Sequence, residues 1–234
     1  MSTETSPAVP LPSLRVRRKP ARQSADPEVL DRLLAEGSLA HVAMVRDGYP
    51  VVLPYLYGVG DLEDGLGRRL LLHGSTGGGL FLDAGPEGVP VSVAVTHLDG
   101  LVYARSLHDS SANYRSAMIV GRATVVPDDR RAAALWCVGD HLMPGRRAEV
   151  REMTAKEVAA TQVLQVPLDS VSVKVRAGGV GEAVDDGEDH GVWAGVVPMA
   201  TTAGVPEPSP LSAGTAVPPS VRALVARSGG GAPV

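Results

Sequence analysis

Alternation of apolar and polar residues with a period of two dominates the middle of the chain and predicts β-strands. In Val91–Thr96 three valines alternate with serine, alanine and threonine, which is the pattern of a half-buried strand. Asp47-Gly48 and Asp99-Gly100 predict tight hairpin turns, because glycine adopts a positive φ at little cost. Further strands are predicted at 39–45, 51–57, 70–73, 101–104, 117–126, 162–166 and 171–176.

Helical signals lie between and beside these strands. Asp26-Pro27 predicts the start of a first helix, with aspartate as the N-cap and proline at the first helical position. A second helix is predicted from residue 128 or 129 to Leu142, and Thr154 with Glu157 forms a capping box for a short third helix. Short strands with hairpin turns, and helices between some of them, predict a mostly β fold, an antiparallel sheet or barrel with helices outside.

The two ends of the chain differ from its middle. Residues 1–13 and 200–234 are rich in small and polar residues and in proline, and have few large apolar side chains, which predicts disordered tails. The stretch LRVRRKPAR, residues 14–22, is basic. It is interpreted as a solvated arm, and a nucleic-acid or membrane patch is the weaker alternative.

Composition narrows the classes of function. The 234 residues are 44% hydrophobic but only 3% aromatic, so Val, Leu and Ala must form the core. A net charge of −4 argues against a general nucleic-acid binder. The one cysteine, Cys137, excludes an internal disulfide and a cysteine zinc cluster, which fits a cytoplasmic protein. The pattern predicts neither a signal peptide nor a membrane span.

A polar tetrapeptide opens the strand at 117–126. Asn113-Tyr114-Arg115-Ser116 can hold an anionic ligand, because an arginine fork pairs with phosphate and Ser and Asn add neutral donors. The alternative is a solvated loop in which Arg115 pairs with a nearby carboxylate such as Asp109. Composition alone favours this structural alternative.

A glycine-rich turn, Gly74–Gly79, follows the strand at 70–73. Small residues there let backbone N–H groups approach a phosphate closely, and a flexible connection is the equal alternative. His73 beside the turn is either a hydrogen-bonded structural histidine or a pocket histidine. The acidic stretch 182–190 is interpreted as a solvated loop, with a metal site as the weaker alternative.

Nine segments follow one another along the chain: RVRRKPAR, GSLAHVAMVRDGYPVVLPYLYG, LLLHGSTGG, LDGLVYARS, NYRSAMIVGRA, HLMPGR, TAKEVAATQVL, SVKVR and VWAGVVP. Each segment is weak alone, but their order is specific. Together they resemble the pyridoxamine 5′-phosphate oxidase-like, flavin-nucleotide-binding family over residues 14–199. The resemblance implies one domain there, a split antiparallel β-barrel with flanking helices. It also implies that the domain binds FMN and forms a homodimer with the flavin in the cleft between subunits.

The resemblance implies roles for three segments and one tryptophan. Val51-Val52-Leu53-Pro54 would lie along the flavin ring and offer it backbone groups. His73-Gly74-Ser75-Thr76 would meet the ring and the ribityl chain, with His73 as the catalytic hydrogen-bond or proton partner. Asn113-Tyr114-Arg115-Ser116 would hold the phosphate, with Arg115 as an electrostatic clamp. Trp193 would close the cleft, and no metal is expected.

Two departures from the family pattern bear on the expected activity. Gly77–Gly79 stand where relatives often carry Arg or Lys, so a phosphate anchor is missing, and Asp109-Ser110 replace a pair of histidines. The main expectation is an FMN-dependent oxidoreductase that acts on a small-molecule substrate. The alternatives are a non-catalytic module that keeps flavin, haem or a deazaflavin, and pyridoxamine phosphate oxidation itself.

Overall fold

Nine β-strands and five α-helices make up the part of the chain that the computed structural model describes, which is residues 11–77, 79–85, 87–181 and 191–228. The strands are β1 Gln23–Ser24, β2 Leu39–Arg46, β3 Tyr49–Gly60, β4 Arg69–Ser75, β5 Val89–Tyr103, β6 Ser111–Val125, β7 Thr161–Pro167, β8 Val171–Arg176 and β9 Gly195–Pro198. The helices are α1 Pro27–Glu36, α2 Gly79–Asp83, α3 Asp128–Leu142, α4 Ala155–Ala160 and α5 Pro219–Arg227.

Six of the strands close into a barrel. Their order is β6-β7-β4-β3-β2-β5, and β5 pairs back onto β6, so the sheet returns to its start. All the pairs are antiparallel. The second edge of β6 is divided, because β8 pairs with residues 114–119 and β7 with residues 124–125. The prediction of a mostly β, split antiparallel barrel with flanking helices is confirmed.

Aliphatic side chains fill the barrel, as the scarcity of aromatics requires. Strand residues such as Val42, Val93 and Ile119 are fully buried inside it, and α1 covers one end with Leu33 and Leu34. A second cluster lies beneath α3, where Leu71, Val138 and Val163 meet. Burying one such side chain contributes roughly 1.5–3 kcal/mol, so these two clusters provide most of the favourable free energy of folding.

One of the two predicted hairpin turns is confirmed and the other is wrong. Asp47 and Gly48 both have positive φ, 51° and 79°, and connect β2 to β3 as a two-residue hairpin loop. At Asp99-Gly100, however, β5 continues, with an irregularity between Leu98 and Gly100. A Cβ at Gly100 would stand 2.9 Å from the Val197 carbonyl oxygen. Glycine therefore permits close approach of β9 at this position and makes no turn.

The predicted helix starts are confirmed by their caps. The Asp26 carboxylate accepts a hydrogen bond from the Glu28 backbone N–H at 2.9 Å, and Pro27 is the first residue of α1. Thr154 and Glu157 form the reciprocal capping box of α4. The second predicted helix is α3, which ends at Leu142.

The predicted disorder of residues 200–234 is wrong for α5. The Ser220 N–H and hydroxyl donate to the Glu149 carboxylate at 2.9 and 2.6 Å, and Val225 is buried. The low-complexity composition hides one amphipathic segment, whose apolar stripe has a site to pack against only in the folded protein. Residues 1–10 and 229–234 of the predicted tails lie outside the described residues. In the described ranges, no helix is long and apolar enough to cross a membrane.

Candidate functional site

β3 has a free edge along its first part. It pairs with β2 from Tyr49 to Leu56, but β4 meets its other edge only at Tyr57–Gly60. In the described ranges no strand covers that second edge over residues 49–56. The predicted segment Val51–Pro54 lies within it, with Val52 57% exposed. Its unpaired backbone groups can hydrogen-bond the edge of a flat ligand, except at Pro54, which has no N–H.

The predicted turn at His73–Thr76 lies where β4 leaves β3. β4 runs on to Ser75, paired only with β7. A Cβ at Gly74 would stand 2.3 Å from the Phe81 ring, so glycine is needed for α2 to pack on the turn. Phe81 in turn meets the Tyr55 ring edge-on, with centroids 5.8 Å apart. These contacts bring Val51–Pro54 and His73–Thr76 together, and we call the two segments the β3–β4 fork.

His73 is a polar side chain of the fork with a buried ring nitrogen that lacks a partner among the described residues. It is half-buried, and its Nδ1 is buried with no hydrogen-bond partner among the described residues. By contrast, the Nε2 atoms of His97 and His141 lie 3.0 and 2.7 Å from the carbonyl oxygens of Leu33 and Gly37. Burial lowers the pKa of His73, so the ring is neutral at pH 7. A neutral imidazole can hydrogen-bond a ligand or coordinate a metal.

Arg115 lies against two carboxylates. Its Nε and one terminal nitrogen donate to Asp99 at 3.0 and 2.8 Å, and the other terminal nitrogen donates to Glu36 at 2.5 Å. These hydrogen bonds raise the pKa of Arg115. The contacts do not support the predicted phosphate clamp, because a phosphate would meet two carboxylates beside the cation. The structural alternative fits better, although with other partners, since Asp109 instead accepts from Ser106 Oγ at 2.6 Å.

The other residues of the tetrapeptide take different positions. Asn113 fastens the segment after β8, where its amide donates to the Gly178 carbonyl at 3.0 Å. Tyr114 and Ser116 face Lys174 of β8, whose Nζ lies 5.9 Å from the Tyr114 ring centroid. Burial raises the pKa of Tyr114, but hydrogen bonds from Lys174 and Arg22 outweigh it, so the net direction is downward.

One chain does not bring all predicted site residues together. In the closed barrel, β2 and β5 separate β3 from β6 on one side and β7 separates β4 from β6 on the other, so the fork and the tetrapeptide lie on strands that are not neighbours. Trp193 lies beside Tyr103 at the β5–β9 pair, with ring centroids 6.0 Å apart, and is 65% exposed. The predicted acidic stretch 182–190 lies outside the described residues. Within those residues, no cluster of three His, Cys, Asp or Glu side chains suits a metal ion.

The groove beneath the basic arm was not predicted from the sequence. A cavity of about 460 Å³ lies between residues 13–18 and the outer face of β5, β6 and β8. Ser116 and Lys174 are among its lining residues. The signal was present in RVRRKPAR, but a run of charges alone is typical of a solvated segment. Only the tertiary structure shows that the arm crosses a sheet.

The family model for pyridoxamine 5′-phosphate oxidase matches residues 26–175, which include the barrel and the fork. The chain belongs to the pyridoxamine 5′-phosphate oxidase family. A search of curated proteins finds no match. The predicted family is thus confirmed by a match over most of the chain.

Two solved structures share both fold and sequence with this family member. The FAD and heme binding protein from Mycobacterium smegmatis is 44% identical, and the alignment covers 87% of this chain and 97% of that one, with a TM-score of 0.79. The flavocytochrome Anf3 from Azotobacter vinelandii is 33% identical, with 87% and 90% covered and a TM-score of 0.74. The split barrel therefore extends through nearly the whole length of both relatives.

Proposed function

We propose that this protein binds a flavin nucleotide at the β3–β4 fork and acts as a flavin-dependent oxidoreductase on a small molecule. The observation that carries the proposal is the free edge of β3 beside the His73–Thr76 turn, in a chain 44% identical to an FAD and heme binding protein. A bound flavin supplies electron and hydride transfer, while the protein binds, orients and shields it.

The residues of the fork divide the binding between backbone and side chain. Within Val51–Leu53, the backbone N–H and C=O groups that point away from β2 are offered to the polar edge of the ring system. Ser75 is exposed at the end of β4 and can meet the ligand there. His73 is neutral at pH 7, so its ring nitrogens can accept or donate a proton or hydrogen bond at the flavin. This arrangement favours a redox role over storage of the flavin alone.

The flavin is proposed to be FAD, whereas the sequence resemblance implied FMN. The 44% identical relative is named for FAD binding. The two places where an FMN phosphate anchor was expected also fit poorly, because the turn after Ser75 has glycine and Arg115 is paired with Asp99 and Glu36. The flavin phosphate therefore needs a binding region outside these two places. A dinucleotide such as FAD can reach such a region because it extends farther from the fork than FMN does.

The active form is proposed to be a homodimer. Neither strand of the fork pairs with β6, so a second copy is the natural source of contacts from β6 to the same flavin. The exposed Trp193 at the β5–β9 end would then close the cleft. Light scattering should give about twice the 24.2 kDa chain mass. A monomer that binds flavin with full affinity would contradict this proposal.

A second candidate function is haem binding beside the flavin. Both relatives are named as carrying haem or as a flavocytochrome. His73 has the chemistry to bind haem iron, because imidazole nitrogen is a common haem ligand and its buried Nδ1 has no partner in the described ranges. Haem would add one-electron chemistry, and His73 would hold the iron.

The visible spectrum of the purified full chain tests both functions. Oxidised-flavin bands, with FAD released on heating, are expected, and a haem band in addition would support the second function. A protein that stays colourless after added FAD would contradict the first. The His73→Gln variant should lose haem and keep its melting temperature, and the exposed His108→Gln variant serves as control. If His73→Gln retains haem, His73 is not its ligand.

Catalysis is tested separately from binding. The flavin of the pure protein should be reduced by a nicotinamide donor or by dithionite and reoxidised over repeated cycles with an added acceptor. His73→Gln should slow turnover more than it weakens flavin binding. A flavin that is bound but never cycles with any donor and acceptor would leave only the binding function.

A further inference from the structure

Residues 13–18, at the start of the basic arm, are held across the sheet by specific contacts. The side-chain oxygen of Gln23 in β1 accepts from the Val16 N–H at 2.9 Å, and its nitrogen donates to Ser172 Oγ at 3.5 Å. Leu14 and Val16 are half-buried, while the arginines between and after them are exposed. The groove under the arm, about 460 Å³, has the size of ordinary small-ligand sites.

The groove concentrates positive charge that the protein does not neutralise. Arg15, Arg17 and Arg18 of the arm and Lys174 of β8 line it, and no carboxylate does. None of the four forms an ion pair with any described carboxylate, although the chain carries a net charge of −4. Many arginines elsewhere are paired, among them Arg32, Arg46, Arg68, Arg69, Arg115 and Arg151. Unpaired like charges repel one another, and a bound anion relieves that repulsion.

The floor of the groove is both polar and apolar. Three residues with hydroxyl groups, Thr96, Ser116 and Ser172, are among its lining residues. Ala94 and the exposed side chain of Met118 form a flat apolar part beside them. A ligand with phosphates at one place and a flat ring at another matches this division.

We propose that the groove binds the adenosine diphosphate half of a flavin dinucleotide. The inference rests on the proposed flavin function and names the part of the ligand that distinguishes FAD from FMN. Arg15 and Arg17 pair with the two phosphates, since a guanidinium fork matches phosphate oxygens, and the adenine lies on Met118. The arm thus replaces the basic residue that is missing after Ser75.

The test is to titrate flavin-free protein with FAD, FMN, riboflavin and ADP. The double variant Arg15→Gln/Arg17→Gln removes two groove charges. The matched control, Arg32→Gln/Arg68→Gln, removes two charges from exposed ion pairs with Glu28 and Asp31. The groove variant should bind FAD about tenfold more weakly for each charge-assisted hydrogen bond lost, while riboflavin affinity changes little. ADP should compete with FAD on the wild type, and the control variant should behave like the wild type.

Three outcomes would overturn the inference. Equal weakening of FAD and riboflavin would mean that the arm acts through the fold. Equal weakening of FAD and FMN would place only the common phosphate in the groove. ADP that binds alongside FAD without competition would make the groove a separate nucleotide site. If wild type binds no flavin, the proposed function fails, and the ADP titration alone still decides whether the groove takes a nucleotide, because the groove variant must then weaken ADP.

Discussion

Arg115 and Ser116 are neighbours in β6, yet their side chains lie on opposite faces of the sheet. On the α1 face, Arg115 contacts Asp99 and Glu36. On the arm face, Ser116 lies in a groove with four basic side chains and no carboxylate. The first face has its charges matched within the fold and the second does not. A cation that is paired within the protein stabilises the fold, whereas a cluster of unpaired cations can bind an anionic ligand.

Side chains on the α1 face also provide partners for the carbonyl groups at the C-terminal end of α1. The last carbonyl groups of an α-helix have no partner within the helix. The Tyr57 hydroxyl donates to the Leu34 carbonyl at 2.7 Å, and ring nitrogens of His97 and His141 meet the carbonyls of Leu33 and Gly37. A Cβ at Gly37 would stand 2.4 Å from the Tyr57 hydroxyl, so this end of α1 is packed closely.

The largest expected effect is on the α1 face, at Arg115. Arg115→Ala leaves the carboxylates of Asp99 and Glu36 facing each other, so the free energy of unfolding should fall by about 2 kcal/mol, the scale of hydrogen bonds to charged groups. Urea denaturation of flavin-free protein measures it, and Arg115→Lys should retain part of the stability. If stability is unchanged and the variant loses affinity for FAD but not for riboflavin, Arg115 binds phosphate. The cations of the two faces would then not differ in their role.

Tyr57→Phe should have the next largest effect. It keeps the buried ring but leaves the Leu34 carbonyl without its donor, which costs about 1 kcal/mol of unfolding free energy. Thermal or urea unfolding checks this, with Tyr103→Phe, at a 47% exposed tyrosine, as the matched control. Equal stability of the two variants would show that solvent reaches this end of α1.

A smaller effect is expected from pH. Burial lowers the pKa of His141 below 6.5, so below that pH the unfolded chain binds the proton more tightly than the folded one. Stability should therefore fall as pH drops from about 6.5, by less than about 1 kcal/mol over one unit for this histidine. His73 contributes with the same sign. Unfolding of wild type and His141→Gln at pH 7.5, 6.5 and 5.5 measures the change, and an identical pH slope in both would contradict it.

The smallest effect on stability is expected on the arm face. Arg15→Gln/Arg17→Gln should change the unfolding free energy of flavin-free protein by no more than about 0.5 kcal/mol, because these exposed side chains have no charged partner in the described part of the chain. Added FAD should stabilise the wild type more than this variant. A large loss of unfolding free energy in flavin-free protein would show that the arm stabilises the fold. The cations of both faces would then have a structural role.

Much of the fold could be predicted because its signals are local. The strand alternation around Val91, the helix cap at Asp26 and the turn at Asp47-Gly48 each act within a few residues. The prediction for Asp99-Gly100 was wrong because the glycine allows close approach of β9, which is almost a hundred residues away in the sequence. The helix α5 was missed because its stabilising partners, among them Glu149, lie in another part of the chain.

From the sequence alone we could predict the antiparallel β character, the helix caps at Asp26 and Thr154 and, through the ordered motifs, the family. It also showed which residues have the chemistry to bind phosphate. It did not determine which of these cations are free, because pairing depends on charges brought together by folding. Only folding pairs Arg115 of β6 with Glu36 of α1, 79 positions away, and places Arg15 and Arg17 along a groove. Electrostatic pairing acts over a few ångströms in space, and distance along the chain does not report it.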